Sequence, residues 1–405
     1  MNQTKYLLIG GMSPAYASVS IREEDQTGAI SIVGQQPAKP YDHPPLSKDF
    51  LQNPNMKEDD PECKMPNYYP DNNILLFEST EIDHIDPIAH IATAKSGELF
   101  QYEKVLIATG SSPIKPPIPG LDLPGVFMLR TIFDAVKIRN EIQDGKKALC
   151  IGTGFIGLEV AASLKQRGME VVVAGDSLPY GKFENITFSE WMIGQMEKNG
   201  VPIHCAERLT KITQTQNGLQ AEFESGLKLE ANMIVAGLGA KPNLDLPKSL
   251  GLEMALGGVK VSSKLETSVI DVYACGDIAT FPDPSTGELC RVEHHMNAKW
   301  QSQTVGKVMS GHSGEYKKIA YFWSDVFDVH LGYRGNSDGA SPAKNFGSMD
   351  DGRFVDLWAR PNGEIASGLI IWDDYEKIDP ISDKLEVLLE NKKDIADVEP
   401  SDLGL

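Results

Sequence analysis

Paired cysteines are missing from this chain. Its five cysteines, Cys63, Cys150, Cys205, Cys275 and Cys290, are scattered singly among 405 residues. No Cys-x-x-Cys pair and no zinc-ligand spacing occurs, so no metal site is expected and the thiols should be reduced and mostly buried. An unbroken run of 18 or more apolar residues is also missing, which excludes an ordinary membrane-spanning helix. Only Met1-Asn2-Gln3-Thr4-Lys5 precedes the apolar stretch Tyr6-Leu7-Leu8-Ile9, so no separate signal peptide is expected. A cytoplasmic location follows as the default expectation. Positive charge is scarce: 38 Lys and Arg against 57 Asp and Glu give a net charge of −19. That argues against nucleic acid or an anionic membrane surface as a partner, and against a strongly acidic protein unless a local basic patch exists.

What is present alternates. Two segments have the pattern of a strand, a glycine turn and a helix: Tyr6 to Glu23, then Lys147 to Arg167. Each leads into a second apolar strand, Ala29 to Gly34 and Glu170 to Ala174, about 20 residues after its glycine turn, as a mononucleotide-binding half requires. The doubling implies an α/β chain with two Rossmann-like dinucleotide-binding domains. Residues 35–66 hold seven of the 25 prolines and form an excursion from the first sheet. Short strands over 74–109 return to it. Pro-rich Ser112 to Pro124 and the stretch Gly239–Asn243 mark crossings between domains. From about Ile319 short strands (His330–Tyr333, Phe354–Ala359, Ile365–Ile371) give way to a helix with Ser382 as its N-cap, running to about Asn391. The acidic tail after Lys393 is expected to fray. The domain expectation is therefore 1–115 with 240–318, interrupted by 116–239, and a small α+β C-terminal domain over 319–405.

The second glycine turn is regular: Gly152-Thr153-Gly154-Phe155-Ile156-Gly157. The first glycine permits the tight turn, the second lets a pyrophosphate approach the backbone, and the third lets the helix pack on the strand. The helix N-terminus then offers free N–H groups and partial positive charge. Asp176, just past the following strand, is placed to bind a ribose 2′-hydroxyl and would repel a 2′-phosphate, which favours NADH over NADPH; a surface-turn aspartate is the competing reading. The first turn departs from the pattern: Gly10-Gly11-Met12-Ser13-Pro14-Ala15. Met12 occupies the second glycine position, where a side chain is expected to crowd a pyrophosphate. Ser13 and Pro14 look like an N-cap and a first helical residue. Gln35 stands where a ribose-binding carboxylate belongs and can still hydrogen-bond hydroxyls.

Further segments complete a set: Pro40-Tyr41-Asp42-His43-Pro44-Pro45-Leu46-Ser47-Lys48, Ile107-Ala108-Thr109-Gly110-Ser111-Ser112-Pro113, Gly237-Leu238-Gly239-Ala240-Lys241-Pro242-Asn243, Tyr273-Ala274-Cys275-Gly276-Asp277, Arg291-Val292-Glu293-His294-His295 and Tyr321-Phe322-Trp323-Ser324-Asp325. With the two glycine turns, in this order and spacing, the chain resembles the FAD-dependent pyridine nucleotide-disulfide oxidoreductases, and within them the ferredoxin/rubredoxin reductase and apoptosis-inducing-factor-like group. The resemblance spans about residues 5–375. It implies FAD at the first turn and NADH at the second. Gly10, Gly11, Ser13, Ala15, Gln35, His43, Pro45, Ala108, Thr109, Gly110, Gly239, Gly276, Asp277 and Glu293 would line the FAD. Gly152, Gly154, Gly157 and Asp176 would hold the NADH. Lys48 and Glu159 would form an ion pair beside the flavin, Phe155 would gate the nicotinamide, and Trp323 and His294 would face the isoalloxazine. His43 stands where the group has arginine.

The expected reaction is hydride transfer from NADH to the flavin, then electron transfer to an acceptor. No cysteine lies between Met1 and Glu62, which discounts disulfide reduction by a flavin-adjacent thiol. A small iron–sulfur protein is the acceptor that the resemblance implies; a quinone, a cytochrome or dioxygen stays open, as does a homodimer. The rival reading is a slowly turning, redox-responsive NADH-binding flavoprotein that acts by recruiting a partner. A flavin-free descendant is a third.

Overall fold

The computed structural model describes residues 1–65 and 67–405. By the density of its contacts the chain divides into two compact units. The first joins Met1–Asp42, Pro61–Ser112 and Lys241–Phe322; the second joins His43–Asp60, Pro113–Ala240 and Trp323–Leu405.

The first unit is built on a parallel sheet in the order Val272–Ala274, Lys104–Ala108, Tyr6–Gly10, Ile30–Val33, Ile74–Phe77. These strands are nearly continuous apolar runs, as parallel strands covered on both faces must be. Leu7, Leu8, Val105, Leu106 and Ile107 are fully buried. The helix Met12–Glu24 follows the first strand. It packs against His295–Met309, where Gly306 leaves no room for a Cβ: one would lie 2.5 Å from the Ala17 carbonyl oxygen.

The second unit contains the second parallel sheet, in the order Val126–Phe127, Met233–Ala236, Lys147–Ile151, Glu170–Ala174, Ile203–His204. The strand order again places the glycine-turn strand centrally, so its C-terminal end opens at the edge where dinucleotides bind in such sheets. Its last segment forms antiparallel strands Val329–Gly335, Ile365–Trp372, Arg353–Ala359 and Ser341–Ser348. The helix Tyr375–Glu390 packs on them.

Two expectations about this end of the chain are corrected. The last long helix starts at Tyr375, capped by the Asp374 side chain, which accepts from the Glu376 N–H. Ser382 lies inside it, buried, and accepts from Arg334 Nε at 2.7 Å. Pro380 interrupts one helical hydrogen bond without ending the helix, because Ile378, Ile381 and Leu385 bury the apolar face across it. Nor does the tail fray. A turn at Ile395–Asp397 and a short helix Pro400–Leu403 bury Val398 and Leu403 completely. The Lys344 ammonium donates to the carbonyls of Ala396 and Val398 at 3.2 and 2.5 Å.

Candidate active site

In the first unit the sheet ends in a cradle made of backbone. Gly10 adopts φ +137°, and a Cβ there would lie 2.2 Å from the Ala108 carbonyl oxygen, so only glycine fits. Gly11 caps the following helix without a side-chain hydrogen bond, and nothing lies within 4 Å of where its Cβ would be. The helix thus presents unsatisfied N–H groups to open space, a donor set suited to a pyrophosphate. The helix begins two residues earlier than expected: Gly11 is the cap, and Ser13 and Pro14 are its second and third residues. A proline is tolerated there because first-turn N–H groups have no helical partner. Met12 is also displaced from its expected role. Its side chain is buried against Tyr16 and Ala298, with Cys63 alongside, so that cluster absorbs its bulk. Ala15, at the third glycine position, is fully buried in the core.

Around this helix start the chain returns twice. Gly276, at φ +75°, opens a tight turn, Gly276–Ile278, and a Cβ on it would sit 3.5 Å from Ser13 Oγ. Asp277 accepts from Ser111 Oγ at 2.6 Å. Thr109 and Gly110 are held by Asn243: Thr109 Oγ1 donates to the Asn243 carbonyl at 2.8 Å, Asn243 Nδ2 donates to the Thr109 carbonyl at 2.9 Å, and the Asn243 N–H donates to the Gly110 carbonyl at 2.8 Å. Gln301 is fully buried and accepts from the Gly276 N–H at 2.8 Å. Its Nε2 has no hydrogen-bond acceptor among the described residues. Gln35 is exposed past its strand, and Glu293 is exposed and ion-paired with Arg291. The His294 ring lies 4.2 Å from the Phe322 ring, at the start of the helix His295–Met309. Cys63 is no thiolate: burial first, and then Asp42 at 3.6 Å, push its pKa up. None of the five cysteines forms a disulfide among the described residues.

The second unit carries the second cradle, and its three glycines each meet the demand placed on them. Gly152 has φ +110°, and a Cβ would lie 2.3 Å from the Gly237 carbonyl oxygen. Gly154 caps Phe155–Gln166 and faces open space. A Cβ on Gly157 would lie 2.0 Å from the Gly152 carbonyl oxygen. Asp176 is exposed two residues beyond Glu170–Ala174. Gly239 has φ +93°. Phe155 is the first residue of the helix; its ring lies 4.9 Å from Tyr180 and 6.1 Å from Phe183, with the Lys182 ammonium 4.6 Å from its centre.

The same unit joins Lys48 to Glu159. His43, Pro44 and Pro45 lead into a tight turn, Pro44–Ser47, then a helical turn, Asp49–Gln52. Lys48, between them, reaches Glu159 Oε1 with Nζ at 2.9 Å. Glu159 lies on the inner face of the Phe155–Gln166 helix and is only 4% exposed. Two more donors meet it: Ser47 Oγ on Oε2 at 2.5 Å and Ser324 Oγ on Oε1 at 2.6 Å. Three donors on one buried carboxylate satisfy the condition under which a buried charge is tolerated. Ser324 neighbours Trp323, which is half-buried.

The sequence model of one family matches residues 4–302, nearly three quarters of the chain. The chain belongs to the pyridine nucleotide-disulphide oxidoreductase family. Within it, rhodocoxin reductase of Rhodococcus erythropolis is 30% identical over 351 residues, covering 86% of this chain and 82% of that one. Rubredoxin-NAD(+) reductase of Pseudomonas putida is 32% identical over 79% of this chain and 83% of its own length. Monodehydroascorbate reductase 3 of Arabidopsis thaliana is 31% identical over 87% and 88%. A ferredoxin reductase from Rhodopseudomonas palustris superposes with a TM-score of 0.85 at 27% identity, over 91% of each chain. The protein is an FAD-dependent NAD(P)H reductase of this family, and FAD and NADH are its cofactors. The cradles fit them: each has a glycine-forced turn, a helix start without a side-chain cap and open space before it, and the first adds a buried amide that lacks an acceptor among the described residues.

Some residues of these networks escaped the sequence reading. Ser47 and Ser324 stand inside recognised segments, but nothing local marks them, since their partner Glu159 is more than a hundred residues away. Asn243 and Gln301 act through hydrogen bonds to main-chain groups distant in sequence, which leave no pattern in the chain.

Proposed function

We propose that this protein oxidises NADH through FAD and delivers the electrons to a small iron–sulfur protein, with Lys48, Glu159, Phe155, Trp323 and His294 as the residues that serve the reacting groups. The observation that carries this reading is the Lys48–Glu159 pair, a buried charge pair in the unit that holds the regular dinucleotide cradle. FAD, when bound, supplies a group that accepts hydride from the nicotinamide and can release electrons singly. The chain's own part is positioning. The Gly10–Ser13 and Gly152–Gly157 helix starts bind the two pyrophosphates. Glu159, held by Ser47 and Ser324, keeps the Lys48 ammonium in place. Phe155 covers the face of the nicotinamide cradle, and Asp176 reads its ribose. Cys63, held protonated, takes no electrons.

The acceptor reading draws on the rubredoxin and rhodocoxin reductases among the relatives. On this chain of charge −19, Lys64 and Lys299 both lie within 5 Å of the Tyr16 ring, at 4.6 and 4.8 Å, with Asp42 accepting from the same ring's hydroxyl, and these two lysines are the cations we assign to meet an acidic partner. The test is an anaerobic NADH titration followed by mixing with an iron–sulfur acceptor, a [2Fe–2S] ferredoxin and a rubredoxin in parallel, and with monodehydroascorbate. Bleaching by NADH and rapid reoxidation by an iron–sulfur protein is expected. Reoxidation by monodehydroascorbate alone would replace the acceptor. A lasting long-wavelength band that no acceptor discharges would favour the slow NADH-binding flavoprotein instead.

A further inference from the structure

The helix Phe155–Gln166 starts in the dinucleotide turn and carries one polar stripe along its length. Glu159, Ser163 and the C-cap residue Arg167 are spaced four apart, so they lie one above another on a single face. All three side chains meet one short segment, residues 47–52. Ser47 Oγ and Lys48 Nζ reach Glu159. Ser163 Oγ donates to the Ser47 carbonyl at 2.7 Å and accepts from Gln52 Nε2 at 3.1 Å. Arg167 Nη1 donates to the Leu51 carbonyl at 2.8 Å. The segment is also held by a second helix, Ile132–Glu141, whose Arg139 lies 4.0 Å from the centre of the Phe50 ring and donates to the Met56 carbonyl at 2.7 Å.

Ser163 differs from the other contacts in what it grips. Ser163 and Ser47 are 0% and 2% exposed, so water does not replace the bond between them if it is lost. A hydroxyl has one proton to give. Ser163 gives it to the Ser47 carbonyl, and Gln52 supplies the proton that the same oxygen accepts. Inside a helix a serine commonly bonds back to the carbonyl of its own preceding turn. Here the proton leaves the helix and fixes another segment.

The Ser47 carbonyl belongs to the peptide unit that ends in the Lys48 N–H. That unit is planar, and both of its ends are held: the oxygen by Ser163, the N–H by the Pro45 carbonyl at 3.1 Å. On the other side of the residue, the Lys48 carbonyl accepts from the Leu51 and Gln52 N–H groups, each at 2.9 Å. Fixing the plane before Lys48 fixes its Cα and the direction in which its side chain leaves. Glu159 then holds the ammonium at 2.9 Å. One helix therefore grips Lys48 twice, at the main chain through Ser163 and at the ammonium through Glu159, one helical turn apart.

We propose that Ser163 is a positioning residue for Lys48 in flavin reduction, acting through the Ser47–Lys48 peptide unit. This rests on the role given to Lys48 above. Without the Ser163 hydroxyl the buried Ser47 carbonyl loses its donor, and a buried polar group in that state turns to find another. The peptide plane turns with it, and the Lys48 side chain leaves from a displaced origin. Because the helix begins at Phe155, the position of Lys48 is referenced to the nicotinamide cradle and not to the loop that carries it in sequence.

The experiment uses the FAD-loaded protein as wild type, Ser163→Ala, Lys48→Met, the double variant Ser163→Ala/Lys48→Met, and Arg139→Leu. Stopped-flow mixing with NADH gives the rate of flavin reduction and the NADH Kd, and a redox titration gives the flavin midpoint potential. Ser163→Ala removes one oxygen, adds no bulk and raises helix propensity, so the fold is kept. It is expected to slow reduction about fivefold or more at saturating NADH, since a misplacement of about 1 Å can cost about 100-fold. The NADH Kd should stay at the wild-type value, and the potential should move in the same direction as in Lys48→Met. Added to Lys48→Met, Ser163→Ala should slow reduction no further, because both act through one side chain. Arg139→Leu loosens the same segment without touching the Ser47–Lys48 peptide, and should lower the melting temperature while the rate is kept. A wild-type rate in Ser163→Ala overturns the proposal. So does additive slowing in the double variant, or equal slowing in Arg139→Leu, which would make the effect one of general loosening. The reading beneath it fails in a different place: a wild-type protein that takes up no FAD overturns the function itself, and a wild-type rate in Lys48→Met overturns the role of Lys48 and the proposal with it.

Discussion

Lys48 Nζ and Glu159 Oε1 lie 2.9 Å apart with side chains 12% and 4% exposed. Removing one partner of so buried a pair costs more than removing both. Glu159→Gln leaves the ammonium facing an amide, and a loss of about 3–5 kcal/mol is expected in urea unfolding. Lys48→Met/Glu159→Gln should recover much of that stability. Neither variant should recover the rate of flavin reduction in stopped-flow mixing with NADH. Recovery of the rate in the double variant would show that the pair serves the fold alone.

Gly154 and Gly157 separate binding from folding within one turn. A methyl at Gly154 meets nothing within 4 Å, and its φ of −81° suits any residue. Gly154→Ala should keep the melting temperature of the wild type while NADH affinity falls, by about 5- to 150-fold if crowding costs roughly 1–3 kcal/mol. Gly157→Ala drives a Cβ to 2.0 Å from the Gly152 carbonyl oxygen. The helix must shift, and a stability loss of about 1–3 kcal/mol is expected along with weakened NADH binding. Calorimetric melting and NADH titration of both variants check the contrast.

Asp356 makes the stability depend on pH in an unusual direction. Burial pushes its carboxyl up to about 6, against the opposing hydrogen bond from Asn185. The folded state therefore holds this proton more tightly than the unfolded chain does. The contribution is fully present below about pH 4 and is lost as pH rises towards 6, on the order of 3 kcal/mol for a shift of roughly two units. Asp356→Asn keeps an acceptor for Asn185 and has no charge to bury. It should be more stable than the wild type above pH 6, and the difference should vanish near pH 4. Urea midpoints across that window measure it; a constant difference at every pH would exclude Asp356 as the source.

Asp176 is exposed at the end of its strand, placed for a ribose and ill placed for a phosphate. Asp176→Ala should raise the KM for NADH about tenfold or more, the scale of a hydrogen bond to a charged group. The KM for NADPH should fall or stay unchanged, because a repelling charge is gone. Steady-state kinetics with a ferricyanide acceptor compare the two coenzymes directly.

The C-terminal tail stabilises the fold. Removing residues 394–405 deletes Val398 and Leu403, both fully buried, and leaves the Lys344 ammonium without the Ala396 and Val398 carbonyls. At roughly 1.5–3 kcal/mol per buried aliphatic side chain, a loss of about 3–6 kcal/mol is expected. Thermal unfolding of the shortened chain checks it, and an unchanged melting temperature would refute the packing role.

The sequence by itself determined both cradles. A Cβ-free residue is demanded where a strand turns sharply into a helix against another strand, and that demand is local enough to be written as Gly10, Gly152 and Gly157, while Gly11 and Gly154 leave open space before each helix start. The apolar runs that follow each turn likewise fix parallel strands and their helices. Terminal signals misled where tertiary packing outweighed them. Ser382 looked like a cap after Pro380, yet the buried face of Tyr375–Glu390 carries the helix through the proline. The charged tail looked loose, yet two apolar residues and one lysine anchor it. Met12 looked obstructive because a sequence gives no side-chain direction, and only the fold turns it onto Tyr16 and Ala298. The serines around Glu159, the Asn243 clamp and the Tyr180 contact were decided by tertiary structure alone. Each is a hydrogen bond or ring contact between segments far apart in the chain, and such partners are chosen by where the backbone arrives, not by any spacing that the sequence displays.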